Sequence, residues 1–168
     1  MRTRTLLAPA SLVSLLLSCS AEAARSPAIA ADALEGLRAH VQELGERSEH
    51  GAETVEVQHI LISFEGADPR VAATRTRDEA ERLAAELFAR IRAGKDFDGL
   101  VRDHTDDAYP GIYALTTGKP ASQDVYPRRL MAPGFGDASW RLAVGEVGVA
   151  AWVPVTCPIG WHIIKRLQ

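Results

Sequence analysis

The chain has 168 residues, 46% of them hydrophobic, which suits one domain with its own core plus a targeting segment. A net charge of −3 advertises no basic surface for nucleic-acid binding. Two cysteines, Cys19 and Cys157, are too few for a disulfide framework.

Arg2 and Arg4 form a short positive segment ahead of an apolar stretch of 12 residues, Leu6 to Leu17. That stretch is shorter than the ~20 residues a helix needs to span a bilayer, and the pattern is that of a secretory signal peptide. It ends Leu16-Leu17-Ser18-Cys19, which resembles the lipobox of bacterial lipoproteins. The resemblance implies cleavage before Cys19, acylation of its sulfur and, with Ser20 following, an outer-membrane destination. The competing reading is an ordinary signal peptide cut near Ala21-Glu22-Ala23, with Cys19 discarded. Losing Arg2 and Arg4 leaves 17 basic against 22 acidic residues, a net charge of −5. Membrane contact would then come from the anchor rather than from a basic face. These readings divide the chain into a signal peptide over 1–18, a tether with a short helix over 19–53 and a folded domain over 54–168.

Ala21 to Ala30 reads as the tether. Leu34, Leu37, Val41 and Leu44 form one apolar helical stripe within 32–45. Glu46 to Glu53 is polar and reads as a linker. From Thr54 to Ser63 the residues are β-rich, and the continuous apolar end predicts a central strand. Gly66 and Pro69 mark a loop. Thr76 and Glu79 have capping-box spacing, and the apolar positions from Ala80 to Ile91 predict an amphipathic helix of about four turns closed by Gly94. A shorter helix follows over 97–104. Tyr109-Pro110-Gly111 predicts a turn, Ile112 to Leu115 a strand, and Thr116 to Arg129 a loop. A small helix over 137–143, a strand over 145–154, a turn at Pro158 and Gly160, and a strand over 161–167 complete the chain. The order β-α-α-β-α-β-β is that of an α+β domain.

Four stretches, taken in order, carry a resemblance. They are Gln58-His59-Ile60-Leu61-Ile62; the helix pair ending in Thr105-Asp106-Asp107; Met131 to Trp140; and Gly145-Glu146-Val147 with Pro158-Ile159-Gly160-Trp161-His162-Ile163-Ile164-Lys165. Together they resemble the parvulin-type peptidyl-prolyl cis–trans isomerases. The resemblance implies a four-stranded antiparallel sheet covered by helices, and isomerisation of proline peptide bonds without metal or cofactor. It places Met131, Phe135 and Tyr113 at the pocket for the proline ring. His59, Asp107, Cys157 and His162 become a polar network beneath it, with structural and electrostatic roles rather than proton transfer. It implies proline-containing segments of exported proteins as partners.

Each of these residues also has a plainer reading. Met131 and Phe135, four apart, are ordinary core packing when read alone. A strand histidine is usually a satisfied core residue. Cys157 with His162 could suggest a thiol nucleophile, and the two histidines with Asp107 and Cys157 a metal site, although the spacing matches no compact zinc signature. The chain departs from the family pattern in Gly111-Ile112-Tyr113-Ala114-Leu115 and in the long loop after it. These departures favour an alternative function, a peptide-binding module with weak catalysis. Arg70, Arg75 and Arg77 fall where phosphopeptide-directed relatives carry a basic cluster; a solvated face is the default reading.

Overall fold

The computed structural model describes residues 16–168, with side chains from residue 30 onward. The expected signal segment therefore lies largely outside the described residues. Cys19 falls within the first helix, and nothing is described of its side chain. Among the described residues no helix is long and apolar enough to cross a membrane.

Ten elements follow in order: α1 (Leu16–Glu46), β1 (Thr54–Ile62), α2 (Arg77–Arg92), α3 (Phe97–His104), β2 (Ile112–Thr116), β3 (Val125–Pro127), a 3-10 turn (Arg128–Leu130), α4 (Pro133–Arg141), β4 (Val147–Ala150) and β5 (Trp161–Arg166). The strands lie in the order β3-β2-β1-β5-β4, so β1 is central, as its unbroken apolar run predicts. The sheet differs from the expected four antiparallel strands. It has five, and β3 runs parallel to β2 through Ala114–Val125, Leu115–Tyr126 and Thr116–Pro127. A three-residue strand ending in proline has too little periodicity to be read, and its edge position is where a proline is tolerated.

Side chains alternate across β1, and each face buries a different cluster. Ile60 and Ile62, with Ile163 and Val149, pack against Leu87 and Phe88 of α2 and Leu100 of α3. On the other face Val55, Val57 and Ile164 meet Phe135, Ala138 and Trp140 of α4. Helix α1 closes the β4 side, burying Leu37 in the first cluster and Leu44 in the second. Gly148 of β4 makes this approach possible, since a Cβ there would stand 2.8 Å from Leu44 and 3.1 Å from His40.

Helix α2 starts where its cap predicts: the Thr76 side chain accepts from Glu79 N–H while Glu79 accepts from Thr76 N–H. Helix α4 begins at Pro133, four residues before the expected start, with proline in the first turn where its missing N–H costs nothing. Helix α1 begins at Leu16 rather than near Asp32. The segment after it is tied down: His50 N–H donates to Trp140 O, Trp140 Nε1–H to Ala52 O, and Arg128 to Glu49.

Leu37 is 1% exposed although it precedes the segment assigned to the domain from sequence. Leu37→Ala should cost about 2–5 kcal/mol in urea unfolding. A loss below about 0.5 kcal/mol would mean that α1 does not share the core.

Candidate functional site

Two strands bring the key histidines together. In the β1–β5 register His59 faces Ile164 and Leu61 faces His162, so the imidazoles are diagonal neighbours on the α4 face. Their Nδ1 atoms lie 3.0 Å apart and the rings stack at 5.2 Å. His59 Nε2 lies 3.0 Å from Asp107 Oδ2.

Asp107 is positioned by the exit from α3. Beyond Gln58 the β1 edge is no longer paired with β2. The Thr105-Asp106 step takes over: Leu61 N–H donates to Thr105 Oγ1 (3.1 Å), Asp106 N–H to Leu61 O (2.8 Å), and Ser63 N–H to Asp106 Oδ2 (2.7 Å). Arg75 also binds Asp106. The adjacent aspartates thus divide their work, Asp106 holding β1 and Asp107 holding His59. Asp107 Oδ2 further accepts from Tyr113 O–H at 2.7 Å, and Oδ1 from Ala108 N–H at 2.8 Å. Two glycines permit the close approach. A Cβ on Gly111 (φ +63°) would lie 2.7 Å from His59 O, and one on Gly160 (φ +149°) would lie 2.3 Å from Ile62 O.

The protons follow from these contacts. His59 and the Tyr113 hydroxyl beside Asp107 hold its carboxyl well below the usual carboxylate range, so it accepts only. His59 therefore donates from Nε2, and in the neutral imidazole that tautomer has Nδ1 accepting from His162 Nδ1–H. His162 Nε2 is buried without a partner among the described residues. Burial, reinforced by His59, pushes its pKa well below the ordinary value, so it stays neutral. Burial and the bond to Asp107 raise the Tyr113 pKa well above normal, keeping the phenol a donor. Carboxylate and imidazoles form one oriented hydrogen-bonded chain that ends on the negative charge of Asp107.

Above this chain lies an apolar wall. The Phe135 edge contacts both imidazoles, with ring centroids at 5.2 and 5.1 Å. Tyr113 and Phe135 meet edge to face at 6.3 Å, and Tyr126 of β3 extends the wall at 5.7 Å from Tyr113. Met131 is half-buried against the same cluster. Phe135 is 2% exposed, which makes it a floor, while Met131, Tyr113 and Tyr126 form the accessible sides. Tyr126 carried no signal in the sequence, because β3 itself could not be read.

Cys157 is buried, and its thiol lies 3.5 Å from Gly160 O. Burial pushes its pKa up to about 12, so it is a thiol and not a nucleophilic thiolate at neutral pH. Both nitrogens of His59 are engaged, and among the described residues no group of three or more His, Cys, Asp or Glu side chains is placed to hold a metal ion. Arg70, Arg75 and Arg77 do not form a free cluster. Arg70 is bound to Asp68, Arg75 to Asp106 and Ser63 O, and Arg77 lies over Trp152.

The pH dependence has a definite sign. His162 and Asp107 bind protons less readily in the folded chain than in the unfolded one. Their stabilisation is present above their ordinary pKa values, roughly 6.5 and 3.9, and is lost on acidification. Unfolding free energy should begin to fall below about pH 6.5 and fall further below about pH 4. The stability gap between wild type and Asp107→Asn should be full above about pH 5 and close toward pH 2. A gap independent of pH would contradict the assignment of charge to Asp107.

Residues 41–168 match the PPIC-type PPIASE domain family, Rotamase_3. Chaperone SurA of Pseudomonas fluorescens is 33% identical over 113 residues, 67% of this chain and 22% of that protein. Foldase protein PrsA of Caldanaerobacter subterraneus is 28% identical over 85 residues, 51% of this chain and 24% of that protein. The chain thus spans about a quarter or less of the length of these relatives. Among solved structures, peptidyl-prolyl isomerase ESS1 from Candida albicans superposes with a TM-score of 0.52 at 21% identity, covering 80% of this chain and 74% of that one. The TbPIN1 solution structure gives 0.51 at 22%, covering 70% and 99%. The fold is shared with these structures, and the sequence match runs from within α1 through β5: the chain belongs to the PPIC-type, or parvulin, peptidyl-prolyl isomerase family.

Proposed function

We propose that this chain catalyses cis–trans isomerisation of proline peptide bonds in exported polypeptides during their folding. The observation that carries the reading is an apolar wall of Met131, Tyr113 and Phe135 standing over a polar chain of His59, His162 and Asp107.

The reaction needs little chemistry. Amide resonance sets a barrier of ~18–20 kcal/mol, and exchange takes tens to hundreds of seconds although cis and trans differ by only ~0.5–1 kcal/mol before proline. A site that binds the twisted amide ~7 kcal/mol better than the planar one accelerates exchange by ~10⁵-fold. Met131 and Tyr113 grip the pyrrolidine ring, with Phe135 as the floor. The dipole chain holds these rings in place and presents a fixed field, with its charge confined to Asp107, to an amide whose nitrogen and carbonyl are losing conjugation. Asp107 orients His59, and His59 orients His162. Cys157, protonated and buried, packs in the same cluster as Phe135. No bond to substrate forms and no proton moves.

A second reading is favoured by Tyr113. Its hydroxyl is committed to Asp107, so the pocket side it forms is stiffer and more polar than an aliphatic residue would make it. On that reading the chain binds proline segments and catalyses weakly, as a chaperone module. The names of the relatives, chaperone and foldase, suit either reading.

For location, Arg2, Arg4, the apolar Leu6–Leu17 stretch and Leu16-Leu17-Ser18-Cys19 support export and lipidation at Cys19, with the domain held at the outer membrane facing the periplasm. Cys19→Ser should release the protein from membranes. A wild-type protein that already fractionates as soluble would contradict lipidation.

For catalysis, NMR exchange on a short proline peptide should show acceleration by wild type and a loss of about tenfold or more in kcat/KM for Met131→Ala. Peptide binding without acceleration by wild type would favour the second reading.

A further inference from the structure

A groove of about 370 Å³ opens beside Met131, between the end of β2 at Thr116 and the start of α4 at Pro133. Its volume lies within the ~300–1,000 Å³ of small-molecule sites. Met131 belongs both to this groove and to the wall over the histidines, so a chain whose proline rests on Met131 places a neighbouring residue in the groove.

Three charged side chains line it: Arg128, Arg129 and Asp137. Two cancel. Arg128 bonds Asp137 at 2.7 Å and Glu49 at 2.5 and 2.7 Å, while its guanidinium lies 4.7 Å over the Trp140 ring. Arg129 is exposed and makes no ion pair among the described residues. Its backbone is held by the 3-10 turn, where Met131 N–H donates to Arg128 O at 3.0 Å. In the β1–α2 loop, Arg70 and Arg75 are each neutralised by an aspartate. Among the groove's charged side chains, Arg129 is therefore the cation without an ion-pair partner among the described residues.

Building on the isomerase reading, we infer that this groove is a subsite for an acidic side chain adjoining the substrate proline, with Arg129 as its specificity residue. Parallel strand β3 creates it, because pairing Thr116 with Pro127 delivers the Arg128–Leu130 turn to the rim.

The test compares peptides carrying Glu, Gln or Lys next to proline, on either side, by NMR exchange with wild type, Arg129→Gln and Arg129→Glu. A partly exposed charge supports a modest effect that salt screens. Wild type should prefer Glu over Lys by about two- to fivefold in kcat/KM at low salt on one side of the proline. The ratio should approach one in Arg129→Gln and invert in Arg129→Glu. An identical Glu/Lys ratio in all three proteins overturns the inference. If no peptide is isomerised by wild type, the isomerase reading fails by itself. The groove is then judged on peptide Kd, and equal Kd values for Glu and Lys peptides overturn it.

Discussion

The contact between His59 and His162 is the constraint on which the site depends. The residues are 103 apart in sequence and meet at 3.0 Å because β1 and β5 pair antiparallel in one register. A slip of β5 by one residue against β1 would turn His162 onto the opposite face, among the isoleucines that pack on α2 and α3, and part it from His59. The buried apolar clusters on both faces prevent that slip, so the packing that stabilises the sheet also aims the site. Placing β1 at the centre has a further effect. It leaves one edge free past Gln58, and Thr105 and Asp106 occupy that edge and deliver Asp107 to His59.

The electrostatic character follows from burial more than from charge. One carboxylate at the rim of the site accepts a run of donors, while both imidazoles behind it are nine-tenths or more buried. A charged imidazole at His162 would be costly there, and its unpartnered Nε2 is tolerable as a bare lone pair. Such a site is suited to holding a shape and a field, and poorly suited to moving protons. The same economy appears at the periphery. Arg128, anchored by Glu49 and Asp137 and lying on Trp140, ties the segment after α1 to α4 and fixes the turn that leads into Met131.

Much of this was legible in the sequence where the signals are local. The long β1 run, the Thr76–Glu79 box and the short α3 stripe each depend on neighbours within a few residues, and each element formed where those neighbours placed it. The meeting of His59 with His162 came from family resemblance, because no spacing rule links positions so far apart. What stayed illegible is tertiary. The expected start of α4 at 137 missed its first turn, where Gly134 and Gly136 are small because Thr156 O and the Arg128 side chain lie 3.3 and 3.2 Å from where a Cβ would stand. Strand β3 is too short to show a period, so Tyr126 and the groove beside Arg129 were hidden with it. Tyr113 was placed at the pocket wall by alignment, while its bond to Asp107 depends on the turn at Gly111.

The central claim is that the geometry supports a non-covalent, proton-neutral isomerase. Its most direct test is the exchange rate of a proline peptide with wild-type protein in H₂O and in D₂O. The account predicts clear acceleration over the uncatalysed rate and equal rates in the two solvents. An unaccelerated reaction, or a rate at least twofold lower in D₂O, would contradict it.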